Sequence, residues 1–147
     1  MLDNIPLSQD LLFGFYLLLS LLFGYIIGAE RESRGKEAGV GTQCLVIAGS
    51  MAFCFLSNSV DPLSTSRIAS NVVTGIGFLG AGLIFFNKSK DRVINLTTAA
   101  TIWVSAAIGM ALGFGYIFIA LTMTVFSVFA LRIRKAPILS QHRKNLD

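Results

Sequence analysis

The chain has 147 residues, 54% hydrophobic and 14% charged, with a formal net charge of +4. So few charges could not cover the surface of a soluble domain this size, which excludes most water-soluble enzymes and points to an integral membrane protein. The excess positive charge does not indicate nucleic acid, because a membrane topology accounts for where the cations fall.

Five apolar spans follow in order: Leu11 to Ala29, Gln43 to Ser57, Asn71 to Phe86, Leu96 to Gly113 and Tyr116 to Leu131. A bilayer core of about 30 Å needs roughly 20 apolar helical residues to cross it. Spans one, four and five are near that length, and spans two and three need help from flanking polar residues. Every Lys and Arg except Arg67 follows span one, three or five. Lys and Arg are retained on the cytoplasmic side, so the N-terminus is expected outside and the C-terminus inside. The expected fold is therefore an all-α integral membrane protein, a compact bundle of five transmembrane helices. It comprises one domain over residues 1–133 and a short basic cytoplasmic tail over 134–147.

The first ten residues carry Asp3 and Asp10 and no Lys or Arg, unlike a secretory signal, so span one is expected to be retained. Ser20, Gly24 and Gly28 repeat every four residues on its face. Such small-residue seams let helix backbones approach closely where lipid leaves little hydrophobic gain from association. Span two carries both cysteines, Cys44 and Cys54, about 80° apart around the helix, too far to pair with each other. Span three carries Gly75, Gly77, Gly80 and Gly82 on two sides, so it is expected to be the central helix, between the seams of spans one and four. On span four, Thr97, Thr101, Ser105, Gly109 and Gly113 form a second seam, beside a ladder of Ala107, Ala111 and Gly115. Spans four and five divide at a tight Gly113-Phe114-Gly115 hairpin. Span five has no seam and is expected to face lipid or a second copy. The three prolines, Pro6, Pro62 and Pro137, all lie outside the spans.

Few residues carry chemistry. Gly75-Ile76-Gly77-Phe78-Leu79-Gly80 matches a dinucleotide fingerprint but lies inside an apolar span, with Ala100 where the acid should be, so it reads as packing glycine. The only histidine is His142, in the tail, so no Ser-His-Asp, Cys-His or zinc constellation exists and no enzymatic activity is expected. Nor is a cofactor. Glu30 to Glu37 is a mixed-charge loop in which Glu30 extends the Ser20, Gly24, Gly28 face and is expected to point into the bundle. Acids at membrane depth are costly and more often functional. By topology, Glu30, Arg31, Thr42, Gln43, Asn95, Thr97 and Thr98 share one membrane face and, with Thr101, suggest a polar vestibule. Asn95 or Thr97 is expected to cap span four. Magnesium needs only one or two carboxylates with waters. Glu30, Glu32, Glu37, Asp61 and Asp91 are available, with Glu30 the candidate, but no spacing selects it. Asn58, Asp61, Arg67 and Asn71 form a smaller set on the other side, where an Asp61–Arg67 ion pair, if formed, is worth under about 1 kcal/mol.

Three stretches together resemble the MgtC/SapB family: Gly28-Ala29-Glu30-Arg31-Glu32 with Ala38-Gly39 and Thr42; Gly75 to Gly82; and Leu96-Thr97-Thr98-Ala99-Ala100-Thr101-Ile102-Trp103. They occur in family order, and the resemblance covers roughly Leu11 to Leu131. The chain departs from the family at Gly41, where an arginine is frequent, and at Ile94-Asn95, where arginine and glycine are usual. It looks like a short member lacking the soluble C-terminal domain of longer ones. The resemblance implies a multi-pass protein of the bacterial inner membrane, tied to adaptation to low magnesium and to survival inside host cells. It implies a regulator rather than a pump, with the proton-driven ATP synthase among its candidate partners. Membrane lipid and a second copy of the chain (a dimer) or another membrane protein are the other expected partners. The competing reading is a small oligomeric channel or carrier for magnesium or a solute, its path lined by Thr97, Thr101 and Ser105.

Overall fold

The computed structural model describes residues 7–60, 62–87 and 92–133. Among them the order is α1 (Leu7–Glu32), α2 (Val40–Val60), α3 (Thr65–Leu83), β1 (Phe85–Asn87), β2 (Arg92–Ile94), α4 (Leu96–Gly113) and α5 (Ile117–Arg132). α1 and α2 contain the first two expected spans and extend past them, α4 has the expected bounds, and α3 and α5 are shifted against spans three and five. Polar residues such as Glu30 and Arg31 continue α1 past its apolar stretch. Asp61, Asp91 and the tail at 134–147 lie outside the described residues, and with them any Asp61–Arg67 pair.

The spans differ in reach. By length and composition α1, α2 and α4 are long and apolar enough to cross a membrane, while α5 is apolar but shorter. At 1.5 Å per residue, 26-residue α1 extends about 39 Å and 16-residue α5 about 24 Å. α3 carries Ser66, Arg67, Ser70 and Asn71 in its first half, with Arg67 in its first turn, so only its C-terminal half is continuously apolar. Span three does not run on to Phe86. The helix stops at Leu83, and Phe85, Phe86 and Asn87 pair antiparallel with Ile94, Val93 and Arg92. That hairpin brings the chain back to start α4.

The central helix is α2, not α3. α2 packs extensively on both α1 and α4, whereas α3 leans mainly on α4 and lightly on α2. The glycine seams explain the arrangement. A Cβ on Gly24 would fall on the backbone of Cys44, and one on Gly28 on the backbone of Val40. From the other side, a Cβ on Gly109 would meet the Ile47 carbonyl and one on Gly113 the Met51 carbonyl. Both seams therefore clamp α2, and only glycine permits these backbone approaches. The glycines of α3 are unlike them: Gly75, Gly77 and Gly82 have nothing within 4 Å, and Gly80 meets only the Ala99 methyl at 3.9 Å.

Around the clamp lies one apolar core built on Phe23, Ile27, Ile47, Met51, Ile108 and Leu112, with Tyr16 and Ala120 at its α5 side. A smaller cluster of Ile76, Ile102 and Ala106 holds α3 to α4. Phe13 and Tyr16 meet Phe55 edge-on, at ring-centroid distances of 5.3 and 6.1 Å. The expected hairpin between α4 and α5 is present: Gly115 takes φ +82°, and the amides of Gly115 and Tyr116 bond back to Leu112 and Ala111. This is a glycine-ended helix terminus of the Schellman type. α1 ends the same way at Gly35, φ +58°. α5 packs against α4 and α1 and turns Phe118, Val125, Phe126 and Phe129 outward.

Candidate functional site

The polar residues collect where the C-termini of α1 and α5 meet the N-terminus of α4. Glu30 is 9% exposed. One carboxylate oxygen accepts from Arg34 Nε at 2.7 Å and the other from Arg132 Nε at 3.1 Å. The cations also suit their places, because helix C-termini carry partial negative charge and Arg31 and Arg132 sit in the last turns of α1 and α5. Glu30 thus ties the end of α5 to α1 across 102 residues of sequence.

Arg31 turns the other way and is 3% exposed. Its Nη2 donates to the Thr98 hydroxyl in the first turn of α4. No described carboxylate pairs with it, and its buried Nε has no hydrogen-bond partner. A guanidinium held by a single neutral hydroxyl is an expensive arrangement, because burial of charge costs several kcal/mol unless it is paired.

Below this cluster the polar groups run into the α2–α4 interface. The Thr101 hydroxyl donates to the Thr98 carbonyl at 2.7 Å. Gln43, fully buried, donates through Nε2 to the Ala38 carbonyl at 3.0 Å, and its Oε1 accepts from the Ser105 hydroxyl at 2.6 Å. The Gln43–Ser105 bond is the polar cross-link inside the clamp, one turn from the Gly109 contact. Ser20 and Thr124 turn back onto the carbonyls of Tyr16 and Ala120, the usual way for buried helical hydroxyls to be satisfied.

The loop between α1 and α2 explains the Ala38-Gly39 motif. Ala38 sits at φ +58°. Glu32 lies where a Gly39 side chain would be, and its Oε1 accepts from the Val40 amide at 2.8 Å. Glu32 therefore satisfies one of the free donors at the start of α2. Asn95 holds the N-cap position of α4 but makes no side-chain cap bond, contrary to expectation. Its φ is +65°, a region asparagine tolerates better than most residues after glycine. The position is thus occupied for its backbone, not for its amide.

The structure joins Arg31 to Thr98 and Thr101 to the Thr98 carbonyl, turns Glu30 instead to Arg34 and Arg132, and pairs Gln43 with Ser105 in the α2–α4 interface. Thr42 and Thr97 are exposed, and Asn95 stands at the turn. Sequence reasoning missed Arg132, which reads as a positive-inside anchor because nothing local links it to Glu30. As for a cation site, each oxygen of Glu30 accepts from an arginine, and among the described residues no group of three His, Cys, Asp or Glu side chains comes together. A metal ion at Glu30 would have to displace two guanidinium groups.

This is the architecture of a small helical membrane protein whose helices are locked by glycine seams and tied at one end by a charged knot. The chain belongs to the MgtC family, whose profile matches residues 17–137. It is 40% identical over 136 residues to Protein MgtC of Salmonella typhimurium strain LT2, covering 87% of this chain and 58% of the relative. It is 44% identical over 110 residues to Protein MgtC of Brucella abortus strain 2308, covering 74% and 45%. An uncharacterized protein of Haemophilus influenzae is 38% identical over 145 residues, covering 88% and 58%. The chain thus spans about half the length of these relatives. No solved structure matches it.

Proposed function

We propose that this chain is a non-enzymatic, multi-pass regulator of the bacterial inner membrane, linked to adaptation to low magnesium, acting by helix contact with another membrane protein. Kinship with proteins named MgtC supports the magnesium link. The observation that carries the contact reading is the outer face of α3. Ser70, Thr74, Gly77 and Ala81 recur at helical spacing, all are exposed, and a side chain on Gly77 would meet nothing within 4 Å. The seams of α1 and α4, the obvious candidates in the sequence, are occupied by α2 and leave no face for a partner. In this reading the charged knot fixes the cytoplasmic end of the bundle, and α3 presents the contact face.

The channel reading draws less support. Thr101 and Ser105, which would line a path, are buried and spend their hydroxyls on the Thr98 carbonyl and on Gln43. The test is growth in low magnesium of a strain lacking its own MgtC-family protein, complemented by this chain. Gly77→Leu is expected to reach the membrane at normal levels and to fail to support growth. Full complementation by Gly77→Leu contradicts the contact face. Saturable, protein-dependent magnesium flux into liposomes carrying the purified chain contradicts the regulator reading itself.

A further inference from the structure

Two cavities adjoin along the junction of α2 and α3. The larger, about 610 Å³, is apolar, walled by Leu45, Gly49 and Phe53 of α2 and by Ile68, Gly75 and Leu79 of α3. Ile68 and Asn71 also border the second, about 290 Å³, whose lining adds Ser57, Ser64 and Arg67. The two therefore form one groove with an apolar body and a polar, cationic mouth. Glycine opens it: a Cβ on Gly49 or Gly75 would meet nothing within 4 Å, so neither residue is there to let backbones touch.

The mouth is distinctive in charge. Arg67 is the only Lys or Arg between Lys36 and Lys88. Ser70 and Asn71 donate to the backbone carbonyl of Arg67, and among the described residues no acceptor lies on its guanidinium. The dimensions also fit. From Ile68 to Leu79 the apolar wall of α3 runs about 16 Å at 1.5 Å per residue. That is about half of a hydrocarbon core of about 30 Å, the depth of one leaflet.

We propose that the α2–α3 groove binds one anionic phospholipid, its acyl chain along Gly49 and Gly75 and its phosphate at Arg67 with Ser64 and Asn71. Membrane location is required for this site, the regulatory role is not. Arginine suits the mouth because it donates to phosphate oxygens from a planar fork while staying charged. The groove is the lipid's by complementarity: an apolar slot alone would accept any acyl chain, and a lone arginine would accept any anion, but their continuity selects a molecule with both ends.

The experiment is native mass spectrometry of the full chain released from detergent micelles, titrated with dioleoylphosphatidylglycerol or dioleoylphosphatidylcholine, with inorganic phosphate as a third arm. The wild-type chain is expected to hold one phosphatidylglycerol, with about fivefold preference over phosphatidylcholine, the effect of one basic residue near an anionic headgroup. Gly75→Leu, whose new side chain enters the groove, is expected to weaken that binding at least tenfold with an unchanged melting temperature. Gly49→Leu serves the same purpose from the opposite wall if Gly75→Leu folds poorly. Arg67→Gln is expected to keep lipid but lose the preference. Unaltered binding in both glycine variants, or a preference that survives Arg67→Gln, overturns the site. Inorganic phosphate bound at Arg67 with no retained lipid also overturns it. So does efficient disulfide cross-linking between two copies of Gly75→Cys, which would make the occupant a second chain.

Discussion

The glycines of α1 and α4 and those of α3 look alike in sequence and have opposite surroundings. Gly24, Gly28, Gly109 and Gly113 lie against the backbone of α2, where a methyl group already collides. Gly75, Gly77 and Gly82 border open space. A glycine stripe thus reports that close approach is permitted, not that it occurs within the chain. The first set builds the fold, and the second leaves surfaces for something else.

The sharpest way to test this contrast is to fill both kinds of glycine. Gly109→Leu drives a side chain into the Ile47 carbonyl and Ser50. Overpacking of this kind typically costs about 1–3 kcal/mol and more where backbone must move. We expect Gly109→Leu and Gly28→Leu to lose folded protein in a thermal-unfolding assay in detergent. A second comparison sets the knot against the clamp. Thr98→Val removes the acceptor of buried Arg31, and losing a hydrogen bond to a charged group costs about 2 kcal/mol. The melting temperature should fall, and Thr98→Ser should restore it. An unchanged midpoint in Thr98→Val would mean that Arg31 finds another partner.

Within the clamp, Ser105→Ala and Gln43→Leu probe the polar cross-link. Each should destabilise by about 1–2 kcal/mol because one buried partner is left unpaired. The double variant should cost less than the sum, a coupling that a double-mutant cycle reads directly. Strict additivity would place the two groups apart. The smallest effect is expected at Asn95. Asn95→Gly should be neutral or stabilise by less than about 1 kcal/mol, and Asn95→Val should destabilise by about 1–2 kcal/mol, because positive φ penalises a β-branched residue. A result of the opposite sign would remove the backbone explanation for asparagine there.

Much of this was legible in the sequence, and the rest failed for identifiable reasons. The Gly24/Gly28 and Gly109/Gly113 seams and the Gly113-Phe114-Gly115 turn stand out because each depends on local spacing. Glu30 was marked by its place on a small-residue face, and it is indeed buried. Which helix fills the seams was not legible, since the residues of α2 that receive them, Val40, Cys44, Ile47 and Met51, carry no glycine signal of their own. The β1–β2 hairpin was hidden because Phe85 and Phe86 read equally well as the end of an apolar helix. The Glu30–Arg132 pair joins residues 102 positions apart, a link that no local pattern encodes. Asn95 takes the expected N-cap position without a side-chain cap bond, and its left-handed backbone was hidden because the same residue type serves both purposes.

The most direct measurement is the difference in melting temperature between Gly109→Leu and Gly77→Leu, in chains purified in the same detergent. A large drop for Gly109→Leu with no change for Gly77→Leu is the expected result, because one side chain enters the α2–α4 contact and the other enters open space. Equal drops would show that α3 is as tightly packed as the clamp, and would contradict the division of the molecule into a locked three-helix core and a helix with free faces.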